Sequence, residues 1–148
     1  MKTVIFACVH NAGRSQMAAA LFNEAAARGA KPPKDTKHEG TTREGVRALS
    51  AGTDPAERVH PEVVEVMGEV GIDLSQARPQ KLTLELAQQA DLLITMGCGD
   101  NCPYVPGLKI EDWPLEDPKG KPVERVREIR DDIRRRVEAL VSRYEHKP

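Results

Sequence analysis

The chain opens with an apolar run, Val-Ile-Phe-Ala at residues 4–7, and continues into Cys-Val-His-Asn-Ala-Gly-Arg-Ser at residues 8–15. An Ala-rich stretch follows, so this segment predicts a buried strand, a loop and the start of a helix. Such a loop can turn its backbone N–H groups toward one oxyanion, with the positive end of the helix behind it. Arg14 adds a two-pronged donor that suits phosphate-like oxygens. The sequence therefore predicts an anion site built from the loop residues Val9, His10, Asn11, Ala12, Gly13, Arg14 and Ser15.

The first loop residue, Cys8, lies in the same positive field, which favours its thiolate form. A buried cysteine is more often a small hydrophobic residue, and the spacing from Cys8 to Arg14 is weak evidence alone. The register is more specific, because Cys8 ends the strand, Gly13 leaves room for a backbone turn and Arg14 opens the helix. We therefore predict that Cys8 is a nucleophile directed at an oxyanion.

The composition favours a single-domain protein that binds a small ligand. The 148 residues carry 22 basic and 23 acidic side chains, so we expect one domain over residues 1–148 and a small ligand rather than nucleic acid or a membrane. The apolar runs are too short to cross a bilayer and do not resemble a signal peptide, which favours the cytoplasm. In that reducing compartment an odd set of cysteines indicates reactive or metal-binding thiols rather than structural disulfides. The three are Cys8, Cys98 and Cys102.

The fold follows from alternating patterns. Short apolar runs predict strands at residues 4–7, 46–51, 92–96 and 108–110, and helical patterns occupy residues 15–28, 61–71, 83–89 and 123–140. This alternation predicts an α/β fold, a flavodoxin-like sandwich with a four-stranded parallel sheet and helices on both faces. Residues 31–45 contain Pro, Gly and many charges without periodicity, which predicts a mobile surface loop. The charged run at residues 134–136 is predicted to be a solvated helix face.

Segments that follow parallel strands gather at the carboxyl edge of the sheet, where open α/β sheets bind their ligands. This rule places the Cys8 loop, residues 96–103 and residues 112–117 together. Asp117 precedes Pro118 in the last segment, and a carboxyl group there can deliver a proton to a departing oxygen. An Asp-Pro pair more often makes a turn, and only the company of the Cys8 loop favours an acid.

Five motifs resemble the low-molecular-weight protein tyrosine phosphatase superfamily. They are Cys8-x5-Arg14-Ser15, Ser50-Ala51-Gly52-Thr53, His60-Pro61, Gly71-Ile72-Asp73 and Asp117-Pro118. The eleven residues from Cys8, and Met-Gly-Cys-Gly-Asp-Asn-Cys-Pro from residue 96, resemble the arsenate reductase branch more closely. The resemblance implies roles for five residues: Cys8 as the nucleophile, Arg14 with the loop N–H groups as the oxyanion clamp, Asp117 as the acid, Ser15 as support for the thiolate and Asn11 as a brace of the loop.

The resemblance also implies a source of electrons. Reduction of arsenate to arsenite takes two electrons, which two thiols supply by forming a disulfide, whereas a phosphatase needs one thiol. In the implied reaction Cys8 attacks arsenic, and Cys98 then attacks the Cys8 sulfur and expels arsenite. Cys102 takes over the disulfide and presents it to thioredoxin or a similar reductant. Phosphate and sulfate would bind as analogues of arsenate.

Three positions depart from the pattern of the family. Thioredoxin-coupled members usually separate the later cysteines by six residues, whereas three residues lie between Cys98 and Cys102. A loop position that often holds another cysteine is Gly13, and a carboxylate that binds a monovalent cation in some relatives is replaced by Ala19. We therefore expect no metal of that kind and no cofactor. The short spacing leaves open a second route, in which a small thiol such as mycothiol, with a glutaredoxin-like protein, replaces the relay.

Three other functions compete with this interpretation. Phosphatases of the group commonly carry an aromatic residue after the Asp-Pro pair, where this chain has Lys119. A zinc-binding or sensing module would use Cys98 and Cys102 with Cys8 and His10, but it lacks a second cysteine pair and would disable the nucleophile. A non-catalytic binding domain does not explain why nucleophile, clamp and acid occur together.

Overall fold

The computed structural model describes residues 2–29, 46–97 and 105–145. The predicted loop at 31–45 and the two later cysteines, Cys98 and Cys102, lie outside these ranges. The elements in chain order are β1 (Lys2–Cys8), α1 (Arg14–Gly29), β2 (Val46–Gly52), α2 (Pro61–Gly68), α3 (Leu84–Ala87), β3 (Leu92–Thr95), β4 (Lys109–Asp112) and α4 (Val123–Glu145).

The strands form one parallel sheet in the order β2-β1-β3-β4. β1 lies in the middle and is buried over residues 3–8, which explains why its apolar run is continuous rather than alternating. β4 lies at the edge and exposes Lys109 and Ile110, so its apolar pattern is weaker and its bounds lie later than predicted. The predicted four-stranded parallel α/β fold is confirmed.

Alternation along β1 divides the core into two layers. Val4, Phe6 and Cys8 belong to the larger layer, which α1, α2 and α4 cover. Ile5 and Ala7 belong to a smaller layer on the opposite face, which the short helix α3 covers. The predicted helices on both faces are therefore present, and Cys8 lies on the side of the sheet that carries α1.

Three elements end earlier than predicted. β3 ends at Thr95, one residue early, because the chain turns there toward the carboxyl edge. α3 ends at Ala87 rather than at residue 89, since the last residues close a tighter turn. α2 ends at Gly68, and residues 69–71 form the turn that closes it.

Trp113 fixes the start of the segment that follows β4, residues 113–118. Its backbone N–H donates to Thr95 O at 2.8 Å, and its ring centroid lies 5.5 Å from that of Phe6. The Arg136 guanidinium lies 6.0 Å from the same ring. The 113–118 segment is therefore anchored in the larger core layer before it reaches the edge of the sheet.

Ion pairs join α4 to the end of α2. Hydrogen bonds from Arg127, and then from Arg130, hold the pKa of Glu69 at about 2. Because the carboxyl pKa is lowered, this pairing stabilises the fold at pH values above the usual pKa of Glu, and the stabilisation is lost as the pH falls toward 2.

The charged face of α4 is exposed to solvent. The side chains of residues 134–136 are 36–72% exposed, which confirms the predicted solvated face. Within the described ranges, every helix is too short or too polar to span a bilayer.

Candidate active site

The loop after β1 holds its carbonyl groups outward. Each carbonyl from residue 8 to residue 13 accepts a hydrogen bond from a neighbouring group. The bonds are Thr53 N to Cys8 O (3.2 Å), Asp54 N to Val9 O (2.8 Å), Ala56 N to His10 O (2.9 Å), Gln16 Nε2 to Asn11 O (3.1 Å), His60 N to Ala12 O (3.0 Å) and Met17 N to Gly13 O (3.0 Å). In a trans peptide the following N–H points opposite to the carbonyl. The N–H groups of residues 9–14 therefore point away from these donors, into the concave side of the loop.

Asn11 fixes the shape of this loop from inside. It is fully buried and takes a left-handed φ of 50°, a conformation that Asn tolerates better than most residues. Its Oδ1 accepts hydrogen bonds from Gln80 N at 2.8 Å and from Gln16 Nε2 at 3.2 Å. Its Nδ2 donates to Ser15 Oγ at 2.7 Å. One amide therefore joins three parts of the chain.

The Cys8 sulfur lies at the base of the loop. Cys8 is 2% exposed, and its Sγ lies 2.8 Å from Ser15 Oγ. Because Ser15 Oγ already accepts a hydrogen bond from Asn11, its own proton is free to point at the sulfur. A hydroxyl donor stabilises a thiolate more than a thiol. The Ser15 hydroxyl is therefore a hydrogen-bond donor directed at the Cys8 sulfur.

Replacement of Asn11 by alanine is expected to lower the free energy of unfolding by about 2–4 kcal/mol, from an unpaired Gln80 N–H and a strained positive φ. The oxyanion loop should lose its shape as well. The matched control is Asn23→Ala, which removes two side-chain hydrogen bonds, both with the Ala48 backbone, at a residue without a positive φ. Urea denaturation measures the stability of each variant, and activity is measured under conditions well below the unfolding transition, where both variants are folded. Asn23→Ala should lose stability alone, and equal activity losses would contradict the role of Asn11.

Arg14 contacts the two other segments at the same edge of the sheet. Its side chain is 10% exposed, its Nη1 donates to Leu115 O at 3.0 Å, and its Nη2 lies 3.6 Å from Asp117 Oδ2. A β-carbon built at Gly97, the residue before Cys98, would lie 2.7 Å from Arg14 Nη1. The structure thus brings the loop after β1, the end of the described chain after β3, and the 113–118 segment together around one guanidinium.

Asp117 forms a turn and also directs a carboxylate oxygen toward Arg14, so it fits both of the alternatives that the sequence left open. Its Oδ1 accepts the Lys119 N–H at 3.0 Å, which makes a turn. Its Oδ2 faces Arg14, and the side chain is 49% exposed. One oxygen is therefore engaged in the turn, while the other lies beside the guanidinium with access to solvent.

The reason for glycine at position 13 differs from the expectation. The left-handed conformation in the loop falls on Asn11 and not on Gly13. A β-carbon at Gly13 would lie 2.7 Å from Pro118 Cγ. Gly13 therefore leaves room for the ring of Pro118 and not for a turn of its own backbone, and this close approach holds the 113–118 segment over the loop.

His10 and His60, the histidines in the described ranges, lie near the site without a metal-binding arrangement. His10 Nδ1 lies 3.1 Å from Asp54 O on the exposed side of the loop. His60 is half-buried, and burial lowers the pKa of its ring while the nearby Asp117 carboxylate opposes that shift. Among the described residues, three or more His, Cys, Asp or Glu side chains do not gather where they could hold a metal ion. The zinc alternative depends on Cys98 and Cys102, which lie outside those residues.

Sequence reasoning did not find several contacts that form the site. Gln16 and Gln80 bind Asn11, the Leu115 carbonyl binds Arg14, and Pro118 packs on Gly13. Carbonyl acceptors carry no sequence signal, and Gln80 lies 69 positions from its partner. One of these contacts had a signal in the sequence: Asn is enriched at positive φ, so Asn11 in the loop could have indicated a residue that holds the loop in shape.

The profile of the family described as low molecular weight phosphotyrosine protein phosphatase matches residues 3–147. A putative arsenate reductase of Halobacterium salinarum is 41% identical over 94% of this chain and 90% of that protein. A glutaredoxin arsenate reductase of Synechocystis is 35% identical over 97% of this chain and 98% of that protein.

A solved structure supports the same relationship. The thioredoxin-dependent arsenate reductase of Corynebacterium glutamicum superposes with a TM-score of 0.76 at 36% identity, over 98% of this chain. The chain spans 62% of that solved chain. Because the family profile covers nearly all of the sequence and the relatives match at these identities, the chain belongs to the low molecular weight phosphotyrosine protein phosphatase family.

Proposed function

We propose that this protein is an arsenate reductase, which converts arsenate to arsenite with Cys8 as its nucleophile. The observation that carries the proposal is the buried Cys8 sulfur, 2.8 Å from Ser15 Oγ, at the base of a loop whose N–H groups face inward beside Arg14. The similarity to proteins named arsenate reductases supports the choice of oxyanion. Phosphate and sulfate would bind as analogues, because they share the tetrahedral shape and charge of arsenate.

In the first step the Cys8 thiolate attacks arsenic and forms a sulfur–arsenic bond. One arsenate oxygen leaves as water, and Asp117 supplies a proton to it. The loop N–H groups and the Arg14 guanidinium bind the remaining oxygens and stabilise their negative charge while the sulfur–arsenic bond forms. Asp117 Oδ2 is suited to this task because it lies beside Arg14 and has access to solvent.

In the second step a thiolate attacks the Cys8 sulfur, the sulfur–arsenic bond breaks, and its electron pair stays on arsenic as arsenite departs. Arsenic gains two electrons, and two thiols become a disulfide. In the favoured route Cys98 makes this attack. Cys102 then attacks the Cys98 sulfur, which frees Cys8 and leaves a Cys98–Cys102 disulfide for thioredoxin. In the alternative route a small thiol such as mycothiol attacks Cys8, and a glutaredoxin-like protein completes the cycle.

One contact supports the internal route. The chain leaves β3 and reaches the Arg14 guanidinium at Gly97, and Cys98 is the next residue in the sequence. A phosphatase has no use for the further thiols Cys98 and Cys102, which is why we rank hydrolysis of phosphotyrosine second. A cytoplasmic location belongs to the proposal, because a cycle of thiols and disulfides needs a reducing compartment.

The experiment that tests this function is arsenate-dependent oxidation of NADPH, measured with thioredoxin, glutathione and mycothiol systems in parallel. We expect oxidation that requires arsenate, the protein and one of the reductant systems. Hydrolysis of phenyl phosphate is the control for the phosphatase alternative. Efficient hydrolysis with no arsenate reduction under any of the three systems would contradict the proposal.

The relay predicts the behaviour of two single variants. Cys98→Ser and Cys102→Ser should each lose multiple-turnover activity with thioredoxin, since each breaks the path of the disulfide. Cys102→Ser should still complete one turnover, because the Cys8–Cys98 disulfide can form and release arsenite once. The arsenite released per protein molecule, measured with and without reductant, checks this. Normal turnover of both variants with a small thiol would contradict the Cys98–Cys102 relay and support the route through an external thiol.

A further inference from the structure

We infer that Gly97 is a positioning residue for the oxyanion clamp: by carrying no side chain, it lets the chain that leaves β3 lie against Arg14 and sets where that guanidinium points. This inference rests on the proposed oxyanion site and deepens it. The observation behind it is a close approach between two segments that are far apart in sequence.

The space beside Arg14 does not admit a β-carbon at position 97. A β-carbon built on Gly97 would lie 2.7 Å from Arg14 Nη1, 3.3 Å from Cζ and 3.4 Å from Nη2. These three atoms all belong to the guanidinium, so a β-carbon at position 97 would meet that group rather than the alkyl stem of Arg14. Gly97 also takes a φ of +101°, which glycine adopts without strain.

The 113–118 segment also holds the Arg14 guanidinium in its present position. Its side chain is 10% exposed, its Nη1 is bound to Leu115 O at 3.0 Å, and its Nη2 faces Asp117 at 3.6 Å. The guanidinium therefore contacts the 113–118 segment through both of its terminal nitrogens, and a β-carbon at position 97 would overlap with Nη1. A methyl group at position 97 would push the guanidinium out of this position.

The cost of that displacement should appear in oxyanion binding more than in stability. The tip of an arginine side chain moves at small energetic cost, because it needs no shift of backbone. A bidentate donor that moves by about an ångström, however, loses the alignment that gives its strength. Gly97→Ala is therefore expected to weaken binding of inorganic phosphate by about ten- to a hundredfold, the effect of losing one charge-assisted hydrogen bond.

Gly107 provides the matched control. It takes a similar φ of +82°, but no atom of the described residues lies within 4 Å of a β-carbon built there. Gly107→Ala therefore carries a similar backbone strain without the contact. Phosphate affinity is measured by the protection of Cys8 from iodoacetamide, in a Cys98→Ser/Cys102→Ser background where Cys8 is the only thiol. Urea denaturation of each variant reports the strain separately.

We expect both alanine variants to lose similar stability, and Gly97→Ala alone to lose phosphate affinity. Gly97→Asn serves where alanine folds poorly, because Asn tolerates positive φ and still places a β-carbon against Arg14. Equal phosphate affinities for the variants at positions 97 and 107, whether both fall or neither does, would overturn the inference.

A double-mutant cycle tests the partner of Gly97. Arg14→Lys removes the guanidinium, so adding Gly97→Ala to that variant should change phosphate affinity less than twofold. An additional tenfold loss in the Arg14→Lys background would mean that Gly97 acts through another group, and would overturn the inference. These readouts do not involve arsenate reduction. A protein that binds phosphate as expected but does not reduce arsenate would refute the proposed function and leave the role of Gly97 standing.

Discussion

Replacement of Cys8 by serine is expected to abolish arsenate reduction, with a loss of at least about 10³-fold, as for removal of a catalytic nucleophile. A hydroxyl at this position has no thiolate to attack arsenic and cannot form a disulfide afterward. The fold should persist, because serine is slightly smaller than cysteine and Ser15 Oγ, 2.8 Å from the present sulfur, offers it a hydrogen-bond partner. Arsenate-dependent NADPH oxidation and circular dichroism measure the two effects.

The control for this variant is binding of the oxyanion. The loop N–H groups and Arg14 are unchanged in Cys8→Ser, so inorganic phosphate should still bind, as measured by calorimetry. Retained turnover in a correctly folded Cys8→Ser protein would refute Cys8 as the nucleophile. Loss of phosphate binding as well would show that the sulfur shapes the loop rather than reacting in it.

Asp117→Asn should reduce the turnover rate by about 10²- to 10⁴-fold, the usual contribution of a general acid. The asparagine keeps an oxygen that can accept the Lys119 N–H, now 3.0 Å from Oδ1, so the turn survives. What it loses is the acidic proton for the departing oxygen. The loss of the 3.6 Å contact with Arg14 is a small term, because Asp117 is 49% exposed. The effect should therefore fall on kcat, with the KM for arsenate little changed.

Asp112→Asn is the matched control for the acid. Asp112 is an exposed aspartate at the end of β4, and its Oδ1 accepts the Thr95 hydroxyl proton at 2.8 Å. It belongs to the same part of the chain as Asp117 but makes no described contact with the Cys8 loop. Its conversion to asparagine should leave kcat within about twofold. Equal kcat values for Asp117→Asn and the unmodified protein would exclude Asp117 as the acid.

The sequence predicted the parts of the site that depend on local pattern. The apolar run before Cys8, the Ala-rich helix after it and the alternation of later elements were enough for the sheet, its parallel direction and the meeting of segments at one edge. These features follow from burial and from the rule for crossover connections. They need no knowledge of which side chains touch.

The contacts that refine the site were beyond the sequence. Gly13 was expected to permit a turn, but the structure uses it to admit the ring of Pro118, 105 positions away in the chain. The support of Arg14 by the Leu115 carbonyl involves a group that every residue carries. Close approaches between distant segments depend on the assembled tertiary structure, so a pattern of single residues does not reveal them.

Trp113 is the only tryptophan in the chain, and it lies at the root of the segment that carries Asp117, with one face toward Phe6 and the Arg136 cation 6.0 Å away. The protein therefore has an intrinsic fluorophore four residues before Asp117, its proposed proton donor. If Asp117 moves when an oxyanion binds in the loop after β1, the polarity around the Trp113 indole changes. The fluorescence emission spectrum of Trp113 would then report binding without an added label.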